Sequence, residues 1–231
     1  MYVRTHCLSR NRPRRLLPRA AARTWHIVRV SGTRREIPND PGRKERILDA
    51  ALDVIGDRGV HGTTHRRIAA RAQVPLGSLT YYFDGIDDLL AQAFRRLADT
   101  MSVQYRRTLR AAASLEEAEQ AVVELICGPA YATEREMTLI FEMYAYGNHH
   151  EAVSATIRDW LARSRESLSL HFSSGTSRAL DALIEGWPMH RAFDEAPLDR
   201  ELVTAAVHAI VGLEPGTGAR HGGPGTVGPA R

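Results

Sequence analysis

The chain has 231 residues, 43% of them hydrophobic, which is enough apolar material for one or two ordinary cores. No run approaches the roughly 18 apolar residues of a spanning helix, and the N-terminal stretch shows no apolar block ahead of a cleavage-like site, so neither a membrane span nor secretion is expected. The net charge is +4 and the sequence holds one lysine, Lys44, among 30 arginines; Lys44 follows no Gly-rich loop, which excludes P-loop and Schiff-base chemistry.

The charge is unevenly spread. Residues 1–42 carry ten Arg against Glu36 and Asp40, residues 43–83 carry a net +3, and residues 84–213 a net −8. A basic front on an acidic body fits a protein that meets nucleic acid with one end only. Cys7 and Cys127 are too few and too far apart for a disulfide framework or a zinc site, and both read as free thiols of a reducing cytoplasm.

Residues 1–40 are Arg-, Pro- and Ser-rich without periodicity and are expected to be disordered. An organellar transit peptide, a nucleic-acid-binding arm and a translation start placed too far upstream all fit that composition. Ile47, Ala50, Ala51, Val54 and Ile55 then recur at helical spacing, predicting an amphipathic helix over 43–57 that Gly59 stops. Thr64 offers an N-cap for a short helix over 65–72 burying Ile68 and Ala69. A turn leads to a second short helix near 77–83, and Asp84 is expected to cap a long helix holding Ile86, Leu89, Leu90, Ala93, Phe94 and Leu97. Ser114 with Glu117 and Thr133 with Glu136 have capping-box spacing. Further helices are expected near 115–127, 134–147, 150–172, 176–190 and 198–211, before a flexible Gly/Pro-rich tail over 214–231. The fold class is all-α.

Two short helices joined by a tight turn, behind a longer support helix, make a helix-turn-helix. At about 100° per residue, Phe83 lies near Leu79 on the inner side of the second short helix. Tyr81 points almost opposite, flanked by Gly77 and Ser78, and Tyr82 falls at the boundary. An outward aromatic among small and hydroxyl residues suits base edges, thymine methyls and phosphates. Thr64, His65 and Arg66 start the preceding helix, where its dipole favours phosphate. A helical hairpin used only for packing is the plain alternative.

The stretches RERILDAALDVI, TTHRRIAARA, PLGSLTYYF and IDDLL resemble the DNA-binding domain of TetR-family regulators. Within that family, THRRIAARAQVPLGSLTYYFDGIDDLLAQAF is similar to the branch of the regulator RcdA, and the likeness runs through MSVQY and GTSRALDALIEG, over roughly residues 39–212. The resemblance implies an N-terminal three-helix DNA-binding domain with a helix-turn-helix at 41–86, a C-terminal helical ligand-binding and dimerisation domain at 87–213, and a homodimer on double-stranded operator DNA. Operator contacts carry over to Thr64, His65, Arg66, Leu76, Gly77, Ser78, Thr80, Tyr81 and Tyr82, with Leu79 and Phe83 as internal anchors. Three positions depart from the pattern: Gln73 stands where the turn usually has Gly, Ile86 stands where many members place a phosphate-binding Lys, and Trp187-Pro188 is expected to kink or end the eighth helix.

Leu180, Leu183, Ile184, Val207 and Ile210 are candidates for the dimer face. The aromatic and Met-rich run MTLIFEMYAY, with its neighbours, supplies candidate effector contacts at Met101, Tyr105, Cys127, Phe141, Glu142, Tyr144 and Trp160, although such stripes serve equally as plain core. HEAVS lacks the second His of a zinc-binding HExxH, GTGARH lacks the last Gly of a dinucleotide fingerprint and follows no strand, and no GxSxG occurs. No enzyme activity, cofactor or metal is expected. The sequence therefore reads as a cytoplasmic bacterial transcription regulator, most simply a repressor released by an unidentified small molecule or environmental signal. A helical binding protein whose helix-turn-helix no longer reads DNA is the alternative, with Gln73 and the missing Lys in its favour.

Overall fold

A computed structural model describes residues 40–213, so the expected N-terminal extension (but for Asp40) and the Gly/Pro-rich tail lie outside the described residues. Helix α1 (Arg43–Arg58) buries Ile47, Ala50, Ala51, Val54 and Ile55, the stripe its spacing predicts. Gly59 stops it at φ 68°, and a Cβ there would meet Glu142 at 3.0 Å, so glycine is required both by the backbone and by a neighbour. Helix α2 (His65–Ala72) is capped by Thr64, whose side chain accepts from the Arg67 N–H.

The turn to α3 (Leu76–Tyr82) answers the question raised by Gln73. Gln73 takes the left-handed position itself, at φ 55° and ψ 42°. The Val74 N–H donates to the Ala69 carbonyl at 3.0 Å and the Gln73 N–H to the Ala70 carbonyl at 3.3 Å, the paired bonds of a Schellman ending. The turn keeps its shape without the glycine and holds the strain.

Helix α4 (Gly85–Arg110) crosses the expected 86/87 boundary without a break. Asp84 does not cap it as expected: its side chain makes no capping bond, and instead its N–H donates to the Asp88 carboxylate at 2.9 Å. Helices α5 (Leu115–Cys127) and α6 (Glu134–Gly147) start at Ser114 and Thr133. Only the second forms the full reciprocal capping box; Glu117 reaches back one residue further, to the Ala113 N–H. Helix α7 (Glu151–Leu168) ends four residues earlier than its periodicity implies, because Leu168 and Phe172 stay on one buried face through a turn and Ser173 then caps α8 (Ser174–Arg191). Pro188 does not end α8: the helix runs on to Arg191, lacking only the N–H that Pro188 cannot give to the Ile184 carbonyl. Asp199 caps α9 (Arg200–Gly212) by accepting from the Glu201 and Leu202 N–H groups. Among the described residues these nine helices are accompanied by no strand.

One hydrophobic core runs through the described residues, from Ile47 to Val211. Helix α4 packs most extensively on α7, α7 also meets α6 and α8, α5 meets α8 and α9, and α1 packs on α2, α4 and α6. Trp160, Tyr105, Phe94, Leu109 and Ile126 are among its largest fully enclosed side chains, each hydrophobic one contributing about 1.5–3 kcal/mol.

Left-handed backbone costs a non-glycine residue about 1 kcal/mol. Gln73→Gly is therefore expected to raise the unfolding free energy by roughly 0.5 kcal/mol, relief of strain slightly exceeding the extra entropy of an unfolded glycine. A later midpoint in urea denaturation checks this; an earlier one would assign the Gln73 side chain a stabilising contact.

Candidate nucleic-acid interface and interior pocket

The outer face of α2 and α3 is assembled as the helical spacing implies. Leu79 is fully buried and Phe83 nearly so, while Tyr81 is 80% exposed and stacks edge-on against Tyr82 at 4.9 Å. Leu76, Gly77 and Thr80 are exposed beside Tyr81, and a Cβ added at Gly77 would meet nothing within 4 Å. The Thr80 hydroxyl donates to the Gly77 carbonyl at 3.1 Å, leaving its lone pairs outward.

Ser78 is a correction to the expected surface. It is 2% exposed, with its hydroxyl turned inward. The inner arc of this short helix is wider than the Leu79–Phe83 stripe implies, and a hydroxyl is small enough to lie within it.

The three arginines of α2 differ in what they are free to do. Arg67 donates to the Gly62 carbonyl, and Arg71 pairs with Asp57 and, at 3.5 Å, with Asp53. Arg66 is exposed and makes no hydrogen bond or ion pair with a described residue. Thr64 is exposed and His65 half-buried beside it. Lys44, which sequence reasoning set aside, places its ammonium 5.7 Å from the centre of the Phe83 ring, at the junction of α3 and α4. A cation therefore stands near the position where Ile86 replaces the family's lysine.

Helix α6 is bound at three places to the elements that carry α2 and α3. Arg135 pairs with Asp53 of α1 at 2.5 Å, Glu142 accepts the Val60 N–H at 2.7 Å, and Tyr146 donates to Asp87 at the start of α4 at 2.8 Å. Burial, and then the bond to Asp87, raise the Tyr146 hydroxyl above its usual range.

The same helix lines a cavity of about 670 Å³ between α6, the 128–133 loop and the end of α8. Phe141 and Glu142 belong to it, as do Met137, Arg191 and Phe193, whose ring lies 5.4 Å from that of Phe141. Arg191 ties α8 to the rest by donating to the carbonyls of Ile126 at 2.9 Å and Ala132 at 2.5 Å. Ala132 is itself left-handed at φ 50°, a second strained non-glycine residue, here in the wall of the cavity.

Behind that wall lies an inner void of about 10 Å³, lined by Tyr131, Tyr144, Trp160, Ile184, Glu185 and Pro188 among others. The candidate effector contacts are thus divided between sites: Phe141 and Glu142 face the outer cavity, Tyr144 and Trp160 the inner void, and Met101, Tyr105 and Cys127 line neither. Met101 and Tyr105 are core, although the Tyr105 ring meets that of Tyr131 at 5.6 Å. Burial raises the half-buried Cys127 thiol.

Sequence reasoning missed the carboxylates of α8. Asp181 and Glu185 lie one turn apart on a helix otherwise read as an apolar stripe, and that spacing was the available signal. Burial pushes Glu185 up to about 7 against the pull of the Tyr144 hydroxyl, which donates to it at 3.0 Å. Burial pushes Asp181 up to about 6 despite Arg165 at 3.4 Å.

The expected dimer residues need a second correction. Leu180, Ile184 and Val207 are at most 2% exposed within a single chain, so they serve its own core. Leu183 and Ile210 are half-buried, and the outward surface of α8 and α9 includes Ala179, Ala182, Leu202, Ala205 and Ala209 beside polar residues such as Arg178, Glu201 and His208. The most apolar arc of an amphipathic helix faces its own core, and a partner can use only the arc beside it.

The family model described as bacterial regulatory proteins, tetR family, matches residues 47–93. The structure of SCO7518 from Streptomyces coelicolor A3(2), described as a transcriptional regulator, is 43% identical and superposes with a TM-score of 0.69, over 74% of this chain and 99% of that one. The multidrug binding protein EbrR in complex with imidazole is 28% identical, with a TM-score of 0.60 over 74% of this chain and 96% of its own. Among curated relatives, the HTH-type transcriptional regulator PksA of Bacillus subtilis (strain 168) is 26% identical over 177 residues, 71% of this chain and 86% of PksA. BetI of Escherichia coli O157:H7 is 26% identical over 170 residues, 69% of this chain and 87% of BetI. These matches do not bear on the RcdA branch. Identity of 43% across nearly the whole of one relative, with the family's helix-turn-helix segment matched at residues 47–93, places this chain in the TetR family of bacterial regulatory proteins.

Proposed function

We propose that this regulator acts as a homodimeric repressor that reads a two-fold related operator with α3 of each subunit and leaves it when a small molecule binds in residues 87–213. Residues 41–86 form the reading head, and the protein works in the bacterial cytoplasm, on the nucleoid when bound to its operator. The carrying observation is the outward Tyr81 on a helix anchored by Leu79 and Phe83. Around it, Leu76, Gly77, Thr80 and Tyr82 supply surface for base edges and sugar, while Thr64, His65 and Arg66 meet the phosphates. Lys44 takes over the phosphate contact that Ile86 cannot make. With Gln73 holding the turn and Lys44 in place, the two departures that favoured a non-reading helix-turn-helix lose their force.

Support for a small-molecule effector comes from the 670 Å³ cavity and from EbrR, whose structures include complexes with imidazole and with ethidium. Support for the dimer comes from the small exposed residues of α8 and α9, which let helices of two subunits approach closely. Helix α6 connects the two ends: it walls the cavity and grips α1, α4 and the Val60 amide. An effector that prefers a shifted α6 changes the separation of the two reading helices, and by linkage operator DNA disfavours that effector equally. The reading assigns the protein no catalytic step.

Fluorescence anisotropy with DNA from upstream of the protein's own gene, at two salt concentrations, tests the reading. Specific binding is expected to weaken with salt, Tyr81→Ala to cost about tenfold or more on the specific site and little on unrelated DNA, and Arg66→Ala and Lys44→Gln each to lower the salt slope by about one. No specific complex at low salt would sink the proposal.

A second expectation concerns the hold of α6 on the head. The Glu142 carboxylate gives the Val60 amide a charge-assisted bond, a class of bond that contributes about 1.5–3 kcal/mol. Glu142→Ala is expected to speed hydrogen exchange at the Val60 amide about tenfold or more while amides of α4 and α7 keep their protection. Unchanged exchange at Val60 would remove this contact from the coupling.

A further inference from the structure

The inner void holds more hydrogen-bonding capacity than the protein satisfies. The Tyr131 hydroxyl and the Trp160 Nε1–H, both in its lining, have no protein partner, and the adjoining Tyr105 hydroxyl and Asp181 Oδ1 have none either. All four residues are at least nine-tenths buried. A void of about 10 Å³ has room for at most a single water, whose four bonds cannot serve these groups and Glu185 together. Pro188, also in the lining, withholds the donor that the Ile184 carbonyl would otherwise have.

The inventory is lopsided. Asp181 Oδ1, Glu185 and the Ile184 carbonyl only accept or lean to accepting, the tyrosine hydroxyls do either, and Trp160 alone must donate. Among the described residues no arginine, lysine or histidine bonds to Glu185, and Arg165, on the neighbouring α7, is engaged by Asp181. Three aromatic rings, Tyr131, Tyr144 and Trp160, complete the wall, and aromatic faces attract cations.

We propose that this chamber is the recognition site for an organic cation bearing hydrogen-bond donors, whose charged group meets Glu185 among the rings of Tyr131, Tyr144 and Trp160 while its body occupies the outer cavity. The inference rests on the reading of residues 87–213 as the effector-binding half and names the chemistry of the effector. The outer and inner spaces share Tyr131, Ala132, Met137 and Pro188 as walls. Met137 is the part of that partition able to yield, being unbranched with three rotatable side-chain bonds. The outer cavity also carries Glu134 and Glu142 against a single cation, Arg191, whose donors are committed to backbone carbonyls.

Ligand charge and solution pH should then be coupled. The groups around Glu185 are Tyr144 from α6, Tyr105 from α4, Tyr131 from the loop, Asp181 on α8 itself, and Arg165 of α7 with Arg178 of α8 reaching it through Asp181; Glu136 acts on Tyr131 from further off. The tyrosines are held protonated well above neutrality, chiefly by burial. Glu185 with a pKa of about 7 passes from mostly protonated at pH 6 to mostly ionised at pH 8. A permanent cation binds the ionised form, so its affinity rises with pH and each binding event below neutrality releases a proton.

Three fluorescent probes test the proposal on the full chain without DNA: ethidium, a permanent cation; N-phenyl-1-naphthylamine, neutral; and 1-anilinonaphthalene-8-sulfonate, an anion. Ethidium is expected to bind at least tenfold more tightly than the other two at pH 8, with affinity rising about tenfold between pH 6 and pH 8. Glu185→Gln should abolish that rise and cost ethidium about tenfold at pH 8 while leaving the neutral probe within about twofold, which also reports that the variant is folded. If the variant does not fold, the wild-type pH profile and probe order decide. A pH-independent ethidium affinity, or binding of the neutral or anionic probe in preference to ethidium, overturns the cation assignment and leaves the effector-binding half intact. Binding of none of the three overturns both.

Discussion

The apolar stripe of α4 has to serve two ends of the molecule at once, and the rest of the fold follows from that constraint. The helix spans 26 residues, about 39 Å at 1.5 Å per residue, and buries side chains from Leu89 to Leu109 without interruption. It packs on α1 of the head and on α7 of the body. A helix with no proline or glycine between Gly85 and Arg110 transmits displacement rather than absorbing it. In the proposed mechanism, movement of the body against α4 is movement delivered to the reading head.

Helix α6 runs as a second connection. Where α4 is held mainly by burial, with the Arg96–Asp49 pair as its polar tie to α1, α6 adds Arg135, Glu142 and Tyr146, three polar contacts with definite geometry. Apolar packing tolerates sliding, whereas a carboxylate on a single backbone amide does not. The molecule thus joins a rigid shared core to a set of directional ties, and the cavity lies beside the ties. Strain is placed at the same two ends: Gln73 in the turn that sets α3, and Ala132 in the cavity wall. The polar interior belongs with them. Asp181, Glu185 and the unpartnered hydroxyls beside them cost stability that an apolar core would not, which is the pattern of a region arranged for recognition.

Much of this was legible in the residues. The stripe Ile47–Ile55, the Leu79–Phe83 anchors and the outward Tyr81 follow from a period of 3.6, because each is decided by which side of one helix a residue occupies, and the Thr64 cap follows from a hydroxyl residue placed just before a helix. The misreadings share one cause. Ser78 looked outward, Leu180 and Val207 looked available to a partner, and α7 looked four residues longer, because period locates a face without saying how many neighbours crowd it or where a turn keeps the same face buried. Asp181 and Glu185 were passed over since one helix wheel does not show that four other elements converge on them.

By itself, the sequence determined the order and kind of the helices, the basic front and acidic body, and the outward side of α3 that carries Tyr81. These are local properties, set by propensity, capping and spacing along one element. The tertiary structure alone decided which arginine of α2 stays free, that Lys44 of α1 reaches the Phe83 ring, that α6 ties the cavity wall to the Val60 amide, and that two carboxylates and three aromatic rings share one chamber. Each joins residues dozens of positions apart in sequence, or depends on them, and distance in space is fixed only when the cores close.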